Sequence, residues 1–271
     1  MTAYARWERD GWRGVARPAL ELDVAAVARM VDGAGRASRH ARTLPVTAAG
    51  ERLFVKLYPA PAGWRARQAF RASRMLVAAG FGAPETVLVA RRGAAGVLVS
   101  RDVGGEDLAE AIGRLGDRRE PAARQAKRRL LRLLGAEVAR LHAAGFVHGD
   151  LVPPNVRVSG DRLVFLDNDR TRRSRLLVAV GARRNLVQLG RFVVPGLTLT
   201  DRARVLDAYA RGRRLSRRRW RRLARWLVAK TTARRCAIDR IPEATARQNG
   251  FRELMRSGGP FDRAGTGRRS A

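Results

Sequence analysis

His148-Gly149-Asp150-Leu151-Val152-Pro153-Pro154-Asn155, followed shortly by Phe165-Leu166-Asp167-Asn168-Asp169, is the stretch on which the fold turns. The first block lies directly behind a long helical pattern, Pro121–Ala144. There Leu130, Leu134, Val138 and Leu141 make an apolar stripe, Pro121 suits the first turn and Gly145 supplies the stop. Val156–Val158 and Arg162–Leu166 read as short strands around the Ser159-Gly160-Asp161 turn. Asp150 and Asn155 therefore share one loop, and Asp167 ends a strand twelve residues further on. Hard oxygen donors at this spacing suit phosphoryl transfer. One carboxylate accepts a hydrogen bond from an attacking hydroxyl, and others hold the magnesium that bridges the phosphates. Asp150 suits the first role; Asn155 and Asp167 suit the second.

Upstream, Leu53-Phe54-Val55-Lys56-Leu57 reads as a strand within Arg52–Tyr58. Only three lysines occur, Lys56, Lys127 and Lys230, against 53 arginines. A lysine kept inside an apolar strand points to a use for its compact ammonium, such as holding nucleotide phosphates. Lys127 and Lys230 sit among arginines and read as surface positions. A glycine-bearing hairpin around Gly33 and Gly35 is placed to close over the phosphates. Trp64–Ala79 has helical spacing and stops at Gly80; Thr86–Ala90 and Gly96–Ser100 are further strands. Residues 1–28 carry Trp7 and Trp12 without a clear period and read as an extension packed on a domain. Gly104-Gly105 marks a break. Beyond it the patterns are mostly helical: Asp107–Gly113, a helix from near Arg183 into Val193, Thr200–Arg211 and Ser216–Ile238. The expected organisation is an extension (1–28), a small β-rich lobe (29–103), a mostly helical lobe (104–256) and a disordered Gly/Arg-rich tail (257–271). That order is α+β in two lobes.

These residues resemble the protein-kinase-like superfamily, and most nearly the lipopolysaccharide core kinase family, which includes Kdo and heptose kinases. The blocks Leu141–Leu151 and Leu166–Arg170 look like that family's central motifs; Arg184–Leu189 and Leu206–Tyr209 look like its later helices. The resemblance covers roughly residues 30–235. It implies a bilobal protein-kinase-like fold, ATP with Mg2+, and a membrane-proximal sugar acceptor. By it, Asp150 is the catalytic aspartate, Asn155 and Asp167 are metal ligands, Lys56 is the nucleotide-binding strand lysine and His148 orients the loop.

The chain departs from the superfamily's pattern in three places. No Asp or Glu lies between Glu51 and Glu85, where a helix glutamate would pair with Lys56; Gln68 is the group there able to hydrogen-bond it. The glycine loop is reduced to Gly33-x-Gly35. Position 152 is valine, where a basic or polar residue often steadies the transferred phosphate, and Arg170, Arg172 and Arg173 are candidates to replace it. The segment after Asp167 is short, with no Ala-Pro-Glu, which argues against a regulated protein kinase. Plainer readings stand beside these: Asp150 as a turn cap, Lys56 as an edge-strand lysine, His142 as packed or solvated, and Asp169 as either a further metal ligand or an exposed acid paired with Arg170.

Of 271 residues, 30% are charged and 45% apolar, enough for a core and against wholesale disorder. One cysteine, Cys236, excludes a disulfide framework and a cysteine-based zinc site. No run of apolar residues spans a membrane and no secretion signal opens the chain, so a cytoplasmic protein is expected, peripheral on the inner face of the cytoplasmic membrane. The net charge of +32 attracts polyanions of any kind. Arg211–Arg225 is either a solvated helical face or a contact for an anionic membrane or phosphosugar with Trp220 and Trp226 as anchors; six residues apart, these two do not share a helical face, and one is expected in the core. No nucleic-acid module is recognisable, so nucleic acid is an unlikely partner. The leading function is a kinase for a sugar hydroxyl of a lipid-linked saccharide. The alternatives are a kinase for another small molecule or a protein, and a non-catalytic scaffold of the same shape.

Overall fold

The computed structural model describes residues 4–18, 23, 36–37, 41–48, 50–116, 120–176 and 178–239. Gly33, Gly35 and the tail at 257–271 lie outside them. The chain divides into two compact units, residues 1–105 with 159–172, and residues 106–158 with 173–271.

The first unit is built on a seven-stranded antiparallel sheet. Its strands are β1 (Ala5–Arg9), β2 (Trp12–Ala16), β3 (Arg36–Ala37), β4 (Arg42–Ala48), β5 (Glu51–Tyr58), β6 (Thr86–Arg92) and β7 (Ala95–Arg101), in the order β1-β2-β6-β7-β5-β4-β3. Helix α1 (Trp64–Ala78) packs on β5, β6 and β7. Strand alternation assigns the faces. Leu53, Val55 and Leu57 of β5 enter one cluster with Val97 and Val99, whereas Tyr58 joins Leu98 and the α1 residues Ala66, Ala69 and Phe70. Lys56, two residues from Tyr58, is thereby on the helix-bearing face, its Nζ 5.2 Å from the Tyr58 ring centre. The residues without a clear period near the N-terminus form the β1–β2 hairpin, which adds two strands to the sheet. Its two-residue turn is Asp10-Gly11, both with positive φ.

Residues 159–172 belong to this unit through β11 (Arg162–Phe165), where Phe165 N–H donates to Gly82 O at 2.9 Å and Val164 bridges Gly82 in parallel. A Cβ on Gly82 would lie 2.4 Å from Leu163 O, so only glycine permits that approach.

The second unit contains β8 (Glu106–Asp107), α2 (Leu108–Gly116), α3 (Pro121–Ala143), β9 (Phe146–Val147), a 3-10 turn at Pro153–Asn155, β10 (Val156–Ser159), α4 (Val178–Gly190), α5 (Leu199–Gly212) and α6 (Arg217–Asp239). The stripe Leu130, Leu134, Val138 and Leu141 is buried, and α3 packs along α5. Helix α4 begins five residues before the position expected from sequence, because its first turn has little apolar face: Val180 is 76% exposed. Helix α5 opens with a reciprocal cap between Thr198 and Asp201. Lys127 is not a plain surface residue. Its ammonium lies 2.8 Å from the buried Asp201 carboxylate, which Arg204 also approaches at 2.6 Å. No helix among the described residues is long and apolar enough to cross a membrane.

Candidate active site

In the second unit, α3 ends at Ala143 and the chain turns at Gly145 into the loop 148–155. That loop is held from α4 by two buried amides one helical turn apart, Asn185 and Gln188. Asn185 Oδ1 accepts the His148 backbone N–H at 3.1 Å, and its Nδ2 donates to His148 O at 2.5 Å and to Gln188 Oε1 at 2.9 Å. Gln188 Oε1 also accepts Leu151 N–H at 3.2 Å, and its Nε2 donates to Gly149 O and to Asp150 Oδ1, each at 3.2 Å. The backbone from 148 to 151 is thus fixed by hydrogen bonds rather than by packing alone.

His148 is buried, and its Nδ1 accepts the Asp150 N–H at 3.1 Å, a bond that fixes where the aspartate leaves the loop. Asn155 Nδ2 donates to Asp150 O at 2.9 Å, which leaves its Oδ1 as an acceptor. Arg191, just beyond α4, has Nη2 3.9 Å from Asp150 Oδ1. Burial disfavours the Arg191 cation and the Asp150 charge offsets part of that. His142 is fully buried, 3.1 Å from both Asn185 Oδ1 and Tyr209 Oη. Since Asn185 Oδ1 only accepts, His142 Nε2 carries the proton and Nδ1 accepts from Tyr209. Burial lowers the His142 pKa to about 4, against the Asn185 hydrogen bond, so the ring is neutral.

In the first unit, Lys56 forms an ion pair with Asp167. Asp167 has φ +55° and ψ +53°, left-handed geometry that aspartate tolerates better than most residues. The turn after it is anchored by Asn168, whose Nδ2 donates to Phe165 O at 2.8 Å and to Ser73 Oγ of α1 at 3.3 Å. Asp169 is buried and lies 3.4 Å from Arg65 Nη1 of α1. This corrects the expectation of an exposed acid paired with Arg170. Burial, then the Asp167 charge, push the Asp169 carboxyl up, while Lys56 and Arg65 pull it down. Gln68, half-buried on the same helix, makes no hydrogen bond to Lys56; the group that meets the lysine is Asp167. In this unit the side chains that offer hard oxygens to a cation are Asp167 and Asp169. Among the described residues no three acidic, histidine or cysteine side chains form a metal cage. A donor set this sparse fits magnesium, which keeps waters and takes phosphate oxygens beside one or two carboxylates.

Val152 is buried, and Arg170, Arg172 and Arg173 are exposed. The basic side chain near Asp150 is Arg191, which sequence reasoning missed, as it missed Asn185, Gln188 and Arg65. Two amides at i and i+3, set among the apolar residues Leu186, Val187 and Leu189, were the available signal for the first pair. Of the two tryptophans near the basic run, Trp220 lines an apolar cavity, and Trp226 is covered by the Arg183 guanidinium at 5.4 Å.

An antiparallel sheet with one packed helix, followed by a helical region carrying the Asp150 loop, defines a protein-kinase-like α+β fold. A solved structure of WaaP in complex with acyl carrier protein shares it, with a TM-score of 0.59 and 25% identity over 75% of this chain and 90% of that one. An aminoglycoside-3'-phosphotransferase of type VIII aligns with a TM-score of 0.46 and 17% identity, covering 73% of this chain and 91% of that one. The lipopolysaccharide kinase (Kdo/WaaP) family matches residues 46–209, more than half of the sequence, and the chain belongs to that family. A probable bifunctional tRNA threonylcarbamoyladenosine biosynthesis protein from Natronomonas pharaonis is 42% identical over 73 residues, which are 27% of this chain and 11% of that protein. The chain therefore spans about a tenth of that curated relative.

Proposed function

We propose that the chain transfers the γ-phosphoryl group of ATP to a sugar hydroxyl of a lipid-linked saccharide, the Kdo or heptose of a lipopolysaccharide core. The observation that carries this reading is the immobilised loop 148–155, with the Asp150 carboxylate presented on a backbone that Asn185 and Gln188 clamp. Asp150 accepts the proton of the acceptor hydroxyl as its oxygen bonds to the γ-phosphorus; the bond to the β–γ bridging oxygen breaks and ADP leaves. Lys56 holds nucleotide phosphate. Asn155 and Asp167 would each serve as a magnesium ligand, and the metal would supply charge neutralisation at the phosphates. Arg191, beside Asp150, takes the steadying role that Val152 cannot.

The acceptor is anionic in this reading because residues 170–200 contain seven arginines and no Asp or Glu. A cationic acceptor such as an aminoglycoside needs carboxylates that this segment lacks. The chain works at the inner face of the cytoplasmic membrane, where such an acceptor is presented.

A partner reading is favoured by a separate observation. The second unit holds an apolar cavity of about 290 Å3, lined by Leu131, Leu134, Leu186, Leu189, Val194 and Trp220 among others. It suits an acyl chain, and the related WaaP structure contains acyl carrier protein. Acyl-loaded carrier protein should stabilise this chain against heat more than the unacylated form, and equal shifts would contradict the reading.

The substrate test is incubation with Mg-ATP and a panel of Kdo- and heptose-bearing lipid A species, read by mass spectrometry. One added phosphate on a species of the panel is expected. No addition to any of them, with ready phosphorylation of an aminoglycoside, would overturn the acceptor assignment.

A further inference from the structure

The acidic turn at 167–169 lies against a helix that carries no carboxylate at all. Helix α1 has four arginines, Arg65, Arg67, Arg71 and Arg74. Arg67 and Arg71 are exposed, and Arg74 stacks on Phe70 and Tyr4. Arg65 alone of the four ion-pairs the turn, with 13% of its side chain exposed against 8% for Asp169. Eight residues along the same helix, Ser73 takes the Asn168 amide. Both contacts are made by the two residues that follow Asp167, whose backbone is in the left-handed region and whose carboxylate meets Lys56.

We propose that Arg65 and Asp169 are a positioning pair that docks the Asp167 turn on α1, replacing with inverted charge the tether that a helix carboxylate would make to Lys56. The helix supplies the cation and the turn supplies the anion. Lys56 is then held by Asp167 rather than by the helix, and Gln68 has no part in the link. The arrangement also manages charge. Two carboxylates two residues apart face two cations, Lys56 and Arg65, so neither acid is left uncompensated. Arginine suits the helix position because its planar guanidinium keeps its charge when enclosed, whereas lysine is a shorter, strongly hydrated point charge. What the turn is for rests on the phosphotransferase reading; the pairing itself does not.

A double-mutant cycle of Arg65→Met, Asp169→Asn and the combined variant in the full chain tests this. Two readouts are taken: the urea midpoint without nucleotide, and the Mg2+ concentration giving half-maximal thermal stabilisation by a non-hydrolysable ATP analogue. Each single variant should raise the Mg2+ requirement about tenfold or more, as loss of a group that orients a metal ligand does. The combined variant should be no worse than the worse single one in both readouts, and KM for the acceptor should be unchanged. Additive effects, or a wild-type Mg2+ requirement in Arg65→Met, would overturn the proposal. If Arg65→Met does not fold, Arg65→Lys decides: it should fold and need several-fold more Mg2+, and identity with wild type would count against the pair. Coupling in the urea cycle, with no response of the wild type to nucleotide, would refute the phosphotransferase reading and leave the pairing standing.

Discussion

Asn185 makes four hydrogen bonds through one side-chain amide, and three of its partners are groups of His142 and His148. Asn185→Ala would strand these groups in the interior, at about 3 kcal/mol by the usual cost of unpaired buried polar groups. Urea denaturation should show that loss, with turnover falling because the Asp150 loop loses its clamp; a midpoint within error of wild type would contradict it. His142 makes the same region sensitive to acid. Its pKa falls from 6.5 to about 4 on folding, so the unfolded chain binds the extra proton first. The contribution to stability is complete above about pH 7, declines as pH drops through 6.5, and is gone near pH 4, a span of roughly 3 kcal/mol. His142→Gln should flatten that slope between pH 4 and 6.5 in equilibrium unfolding. Placement was legible where type and spacing are both rare: Asp150 and Asn155 share one loop and Asp167 follows a strand, as their spacing suggested. Arg65 was not legible: among 53 arginines an arginine carries little information, and its role depends on a turn about a hundred residues away.

At the scale of elements, the packing of α3 on α5 depends on Gly135. A Cβ there would lie 2.3 Å from Val205 O and 2.7 Å from Ala208 Cβ. Gly135→Ala should therefore destabilise, by about 2 kcal/mol as overpacked sites do, although alanine is the better helix former. Gly113 in α2 is the control, since its nearest neighbour would be Pro195 O at 3.9 Å. Gly113→Ala should stabilise by about 0.5–1 kcal/mol. Thermal unfolding of the two variants should move in opposite directions; movement in the same direction would contradict the packing account. Helices α1 and α3 and the strands around Lys56 were legible because burial on one face writes a period into the sequence. The β1–β2 hairpin was not, because β1 buries little beyond part of Trp7; the Asp10-Gly11 turn was its real signal. Helix α4 was read late for the related reason that its first turn faces outward.

Across the whole molecule the net charge of +32 is the strongest electrostatic influence outside the site. Like charges on one chain repel, and salt screens them within about 8 Å at physiological strength. The midpoint of thermal unfolding should rise between about 50 and 500 mM salt, and a fall would show that attractive pairs such as Lys127–Asp201 outweigh the repulsion. Charge does not separate a kinase from a binding scaffold, because both would attract an anion. Separation comes from Asp150, whose loss should leave nucleotide binding untouched and remove the proposed proton acceptor. The decisive measurement is phosphate transfer and Mg-ATP binding by Asp150→Asn beside wild type. The account predicts unchanged binding and transfer slower by about a thousandfold, within the range for losing a general base. Transfer by Asp150→Asn at the wild-type rate would contradict it.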